Sequence, residues 1–316
     1  MKKILFASLV AAGAAFAACS SDGPLPEPGD TPVIQGPTRS MTVEAYLENF
    51  DSNMTRAQAG PIADWASGDE IGLFLSSGEL GNPYLGKADY SNVKVTFSNQ
   101  GWQMDEVLLG EPEANVFAYY PWKNDVDPTA LDVKLDQTDY LYGQSDAPVS
   151  YTSRNAKIAM HHALTQFVVY FTRGSYKKPG VITNVQVKNM HSAENIVNGG
   201  KLNLATGKVT GGEVTAVELF SGSETLPDKS SNVNFCKLLV PFGALAAAGD
   251  VRLQLTIDGV DFYFDFAKNT EWKAGYRNVY RATINSNSLE IGKDDITIEP
   301  WVDEEDKDAE FKPLQD

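Results

Sequence analysis

The sequence predicts an all-β protein built as two tandem β-sandwiches. Period-two alternation recurs in Val93-Lys94-Val95-Thr96-Phe97, Leu131-Asp132-Val133-Lys134-Leu135, Val251-Arg252-Leu253-Gln254-Leu255-Thr256-Ile257, Phe262-Tyr263-Phe264-Asp265-Phe266 and Tyr280-Arg281-Ala282-Thr283-Ile284. Each run puts its apolar residues on one face, as a sheet covering a core requires. Turn formers punctuate the runs at Asn99-Gln100-Gly101, Thr206-Gly207, Asn198-Gly199-Gly200 and Asp258-Gly259. Helical patterning is nearly absent. Only Phe242–Ala248, after Pro241, reads as one or two helical turns. Many short strands with almost no helix point to sandwiches.

The first element is a leader. Lys2 and Lys3 precede a short apolar stretch, Ile4–Phe16, too brief for a permanent membrane span. Phe16-Ala17-Ala18-Cys19 looks like a lipobox, where bacteria attach lipid to the cysteine and cut before it. Residues 1–18 are therefore expected to be a signal peptide, with Cys19 the lipidated residue of an exported lipoprotein. Residues 19–40, rich in Ser, Asp, Gly, Pro and Thr, cannot bury enough apolar surface to fold and read as a tether.

The body is acidic. Without Lys2 and Lys3 it holds 24 basic against 42 acidic residues, a net charge near −18. Nucleic-acid binding needs clustered cations, so it is excluded, as is adhesion to an anionic membrane surface. With Cys19 lipidated, Cys236 has no partner, and the apolar run Phe235–Val240 predicts a buried structural thiol. The length suits two domains. The polar stretch Tyr140–Asn155 places the division near residue 155, giving sandwiches over 41–155 and 156–316, the second with an acidic tail. No short internal repeat is visible.

No enzyme constellation is found: there is no G-x-S-x-G, P-loop, H-E-x-x-H or dinucleotide glycine set. His161 and His162 are adjacent, so on a strand they face opposite ways and cannot share a metal. Asp303–Asp308 has the charge of a calcium loop without its glycine or ligand spacing. Asp64 and Asp69 have the residue type of a glycosidase pair but sit at a turn beside Gly68. The expectation is a non-enzyme with no cofactor and no metal. Trp65, Trp102, Trp122, Trp272 and Trp301, with Tyr119, Tyr120, Tyr140 and Tyr142, would serve either a sandwich core or a sugar-stacking platform. The second alternative describes a surface glycan-binding lipoprotein, which would expose coplanar tryptophans on one face.

Four landmarks bear on the choice. Trp65-Ala66-Ser67-Gly68-Asp69-Glu70-Ile71-Gly72-Leu73-Phe74 resembles the W-x-x-G-D-x-I-G-L-F opening of the fimbrillin family, the FimA/Mfa-like pilus subunits of Bacteroidales. Val116-Phe117-Ala118-Tyr119-Tyr120-Pro121-Trp122 resembles the family's AYYP strand. Met160-His161-His162-Ala163-Leu164-Thr165-Gln166-Phe167 is similar to its H-A-L-A-K strand. Gly275-Tyr276 through Ile296-Thr297-Ile298-Glu299-Pro300-Trp301 is similar to its last strands. They occur in the family's order over about residues 40–302.

The resemblance implies transthyretin-like sandwiches and a fimbrial subunit or accessory adhesin. In such proteins a lipidated precursor reaches the outer membrane and an arginine-specific protease cuts after the first strand. That strand leaves, and a C-terminal strand of the next subunit replaces it. Met41-Thr42-Val43-Glu44-Ala45-Tyr46-Leu47 alternates as a first strand should, with Met41, Val43, Ala45 and Leu47 on one side. Arg56 matches the cleavage position, whereas a cut at Arg39 would leave the strand attached. Ile296, Ile298 and Trp301 are the expected inward residues of the donor strand. The partners implied are other fimbrial subunits, self or related, host or bacterial surface ligands, and a membrane through the lipid.

Overall fold

The computed structural model describes residues 36–48, 62 and 64–300. They form 23 strands and three single 3₁₀ turns, and no α-helix occurs among them. The all-β expectation holds.

The first half is dominated by a seven-stranded sheet. Its spatial order is β2 (Thr42–Leu47), β10 (Asn155–His162), β9 (Leu141–Gln144), β7 (Asn115–Tyr120), β3 (Glu70–Ser76), β4 (Val93–Ser98) and β5 (Gly101–Met104). All neighbours are antiparallel except β2 and β10. A short ladder joins β1 (Arg39–Ser40) to β6 (Leu108–Leu109). The tether expected through residue 40 therefore contains a strand. Ile71, Leu73, Leu75, Val95, Val116 and Ile158 lie at the centre of this half's core.

The second half packs two sheets. One orders β18 (Asn232–Leu239), β11 (Thr165–Arg173) and β21 (Tyr276–Ile284), with β22 (Leu289–Glu290) and β23 (Ile296–Pro300) both paired to β21. The other orders β17 (Val217–Thr225), β12 (Val181–Asn189), β19 (Val251–Ile257) and β20 (Val260–Asp265). Between them Phe167, Phe266, Trp272 and Tyr280 form an aromatic centre, each ring meeting the next at 4.9–5.5 Å. Asp258-Gly259 links β19 to β20 with φ of 47° and 71°, the positive pair that a two-residue hairpin turn requires.

The remaining strands are short. β13 (Val197–Asn198) pairs with β16 (Glu213–Val214), and β14 (Gly200–Leu202) pairs with both β15 (Val209–Thr210) and β8 (Leu131–Val133). The β14–β8 ladder ties the two halves of the chain, above a third apolar cluster holding Phe117, Tyr119, Leu131, Leu164, Leu202 and Leu238. The division expected near residue 155 falls at the first residue of β10, which pairs with β2 and β9.

Two local expectations fail. Phe242–Ala248 is not helical: Phe242 and Trp272 exchange backbone bonds at 3.0 and 3.1 Å, and Leu245 donates to Thr270 and accepts from Asn269. Pairing with a distant segment satisfies this backbone, and so overrides the helical preference of its alanines. Cys236 is exposed rather than buried. Strand parity turns it away from the neighbouring Phe235, which lies in the core. Atoms packed around the sulfur still desolvate it and push the thiol pKa up, against the pull of Arg277 and Gln166, so the thiol is not activated.

Candidate functional site

The edge of the seven-stranded sheet carries the expected first strand. Met41 and Ala45 are buried in the first core, and Val43 and Leu47 pack against it. The alternation read from the sequence is therefore the alternation of the strand. Parallel pairing runs from Thr42 opposite Asn155 to Leu47 opposite Met160. Thr42 N–H donates to Arg154 O at 2.9 Å, and Glu48 N–H to Met160 O at 3.1 Å. Outward side chains add contacts of their own. Thr42 Oγ1 donates to Asn155 Oδ1 at 3.1 Å, and Lys157 Nζ lies 5.3 Å from the centre of the Tyr46 ring. Glu48 and His161 meet at 2.6 Å in solvent, where such a pair contributes little.

Across the opening, β5 supplies a clasp. Trp102 Nε1 donates to Ala45 O at 3.0 Å. β2 and β5 are the two ends of the sheet order, so this bond joins its edges. Trp102 is held by Trp65 and Phe97 in edge-on contacts at 4.9 and 5.0 Å, and Trp65 also meets Tyr120.

The Gly68-Asp69 turn places Trp65. Gly68 has φ +96°, and buried Asp69 accepts Ala66 N–H at 2.7 Å, so Asp69 makes the turn. Exposed Asp64 likewise accepts a local backbone bond, from Trp65 N–H. Three residues on, Gly72 leaves room for the Tyr119 ring, which a Cβ there would meet at 2.6 Å from Cζ. β7 ends at Tyr120, immediately before Pro121, as expected of a residue that cannot donate to the ladder.

Downstream of the first strand, the chain is pinned again at Ile62. Its N–H donates to Asp139 Oδ2 at 2.8 Å, and the same oxygen lies 2.9 Å from His162 Nδ1, with all three residues buried. His161 and His162 do face opposite ways. Among the described residues no group of three or more His, Cys, Asp or Glu side chains could hold a metal ion.

At the other end of the chain, β23 forms a sheet edge, with Ile296 opposite Tyr280 and Pro300 opposite Tyr276. Ile296 packs against the second core, but Ile298 is 52% exposed. Cys19, Arg56, Trp301 and the acidic tail lie outside the described residues. Sequence reasoning missed the Trp102 clasp and the Ile62 anchor. The only signals were a tryptophan beside a turn and an aspartate in a polar stretch.

Residues 55–301 match the fimbrillin-like family. The chain belongs to that family. Its fold is similar to a putative cell adhesion protein from Bacteroides ovatus, at TM-score 0.59 and 18% identity over 85% of this chain and all of the other. A putative cell adhesion protein from Bacteroides uniformis gives 0.57 and 17% over 83% and 99%. A fimbrial protein from Bacteroides vulgatus gives 0.52 and 14% over the same shares. No curated protein matches the sequence.

Proposed function

We propose that this chain is a fimbrial subunit or accessory adhesin, exported as a lipoprotein through Cys19 and assembled at the outer membrane by strand exchange. A protease cutting after Arg56 frees Met41–Leu47, and a strand from a neighbouring subunit takes its place. One observation carries the reading. β2 fills a core slot with alternate side chains, lies at a sheet edge, and leads into the sequence segment that holds Arg56, beyond which Ile62 is anchored separately. Main-chain bonds to β10 give such an exchange its strength, and the alternate pockets give its specificity. The glycan-binding alternative calls for coplanar exposed tryptophans, yet Trp65 and Trp102 cross at 77° and Trp272 is fully buried.

Limited digestion with an arginine-specific protease, followed by electrophoresis without boiling, tests the reading. The expected result is a ladder of high-mass bands with a new N-terminus at Ala57, absent in Arg56→Ala. Resistance of Arg56 to cleavage, or a cleaved chain that keeps its first strand and binds no other, would overturn it.

A further inference from the structure

The β19–β20 hairpin and the turn that follows β21 face each other across a cavity of about 480 Å³, a size that suits a small ligand. Asp261, Phe262 and Tyr263 form one wall, and Ser286, Asn287 and Ser288 form the other. We propose that this cavity is a subsite for a neutral pyranose, one sugar unit of a surface glycan. The inference names a ligand class for the adhesin of the proposed function and rests on that half of the reading alone. The cavity lies in the second sandwich and is independent of strand exchange at β2.

Both walls are fixed before any ligand arrives. On the sheet side, Asp261 accepts bonds from Thr256 Oγ1 at 2.7 Å and Gln254 Nε2 at 3.0 Å. Arg252 donates two bonds to Asp265, at 2.6 and 2.9 Å, and lies 4.0 Å from the centre of the Tyr263 ring. The guanidinium covers one face of that ring, yet Tyr263 is 56% exposed, so the other face is open. On the turn side, Asn285 and Ser286 are tied to Ser175 by four bonds of 2.9–3.2 Å. Walls held in this way reduce the ordering cost of binding.

The space between them is polar. Asp258-Gly259 is a two-residue hairpin turn, so Ile257 and Val260 exchange the first ladder bonds. By alternation Phe262 also bonds β19, whereas Asp261 and Tyr263 point their N–H and C=O groups away from it. β20 is the last strand of its sheet, and among the described residues those groups have no main-chain partner. Asn287, in the pinned turn, adds an amide that both donates and accepts. Such a mixture matches sugar hydroxyls, each of which also does both, while the open Tyr263 face takes the C–H face of the ring. Charge narrows the choice further. The carboxylates of Asp261 and Glu290, the latter bonded by Ser288, repel acidic sugars, and Asp265 already neutralises Arg252. A peptide strand fits less well, because β22 and the turn before it stand where a strand added to β20 would run.

The test is saturation-transfer NMR on the purified full-length chain, with methyl glycosides of glucose, galactose, mannose and N-acetylglucosamine as probes. At least one is expected to receive saturation, strongest at the C–H protons on one face of its ring, and the methyl glycoside of sialic acid none. Tyr263→Ala is expected to weaken binding about tenfold and Tyr263→Phe to leave it within about twofold, because stacking is the contact. Asn287→Ala is expected to weaken it about threefold, and carries the test if Tyr263→Ala fails to fold. No saturation of any neutral glycoside overturns the inference and leaves strand exchange standing. Binding unchanged in these alanine variants places the sugar elsewhere and overturns it too. Equal binding of the sialoside overturns the neutral assignment. An alternating Thr-Val pentapeptide that binds where no glycoside does would make the site a strand edge and overturn the sugar reading.

Discussion

Trp102 Nε1 donates a 3.0 Å hydrogen bond to the carbonyl oxygen of Ala45. One residue belongs to the last strand of the seven-stranded sheet and the other to the first, so the bond closes the sheet over its own core. It is a clasp aimed at main chain, indifferent to the side chain that sits at position 45. Any strand seated there with its carbonyl outward would be held in the same way.

Trp102→Phe isolates this bond, because an aromatic ring remains to meet Trp65 and Phe97 edge-on while the donor is lost. A destabilisation of about 0.5–1.5 kcal/mol is expected for a single part-buried hydrogen bond. Urea unfolding of the two proteins measures it. No change in midpoint would mean that the clasp contributes nothing to holding the strand.

Gly72→Ala should be far more damaging than its small size suggests. The added carbon would collide with the Tyr119 ring, whose hydroxyl is fixed by Asn92 and Lys123 and cannot yield easily. Overpacking of this kind costs about 1–3 kcal/mol. A double-mutant cycle with Tyr119→Leu gives the decisive comparison: the alanine should cost markedly less once the ring is gone. Strict additivity would place the strain elsewhere.

Asp139→Ala removes the acceptor of the Ile62 N–H inside a buried site. A loss of about 1–3 kcal/mol is expected for the stranded donor. The functional consequence is more specific. Ile62 follows Arg56 in the chain, so with a protease of broad specificity the loss should also raise the rate of cleavage after residue 57, seen as additional N-termini by mass spectrometry. The same set of N-termini at the same rates in both proteins would show that the anchor does not protect this segment.

What the sequence made legible was local. Period two at Met41–Leu47 needs only neighbouring residues, and the structure reproduces it side chain by side chain. The turn role of Asp69 and the strand end at Pro121 are local in the same sense. Pairing is another matter. Thr42 bonds Asn155 across 113 residues, and nothing in either segment names the other. Cys236 was misjudged from apolar neighbours, although parity along its strand decides the face. Phe242–Ala248 was misjudged because its partner, Trp272, lies far along the chain.

Alkaline pH should loosen the fold before acid chemistry does anything comparable at the same sites. Burial is the main cause that pushes Tyr119, Tyr176 and Tyr280 up to about 12 from an ordinary 10.0; the Asp258 carboxylate reinforces it at Tyr176. A raised pKa means that the fold prefers the neutral phenol. The stability it reflects is complete below pH 10 and is lost as pH rises from 10 through about 12. Asp258 runs the other way. Desolvation is its largest single influence and raises it, but bonds from the N–H groups of Val181 and Gly180 and from the Tyr176 hydroxyl together hold it below 3.8. Its contribution is present above that value and fades only as pH falls beneath it. Urea midpoints should therefore be flat through neutrality and fall between pH 10 and 12. Over the same interval phenolate absorbance should lag behind that of the unfolded chain. Tyr280→Phe, which keeps the ring in the aromatic centre, should flatten part of the alkaline fall while losing the bond from Trp272 Nε1. A midpoint unchanged up to pH 12, with all phenols titrating near 10, would contradict the buried, neutral state assigned to these three tyrosines.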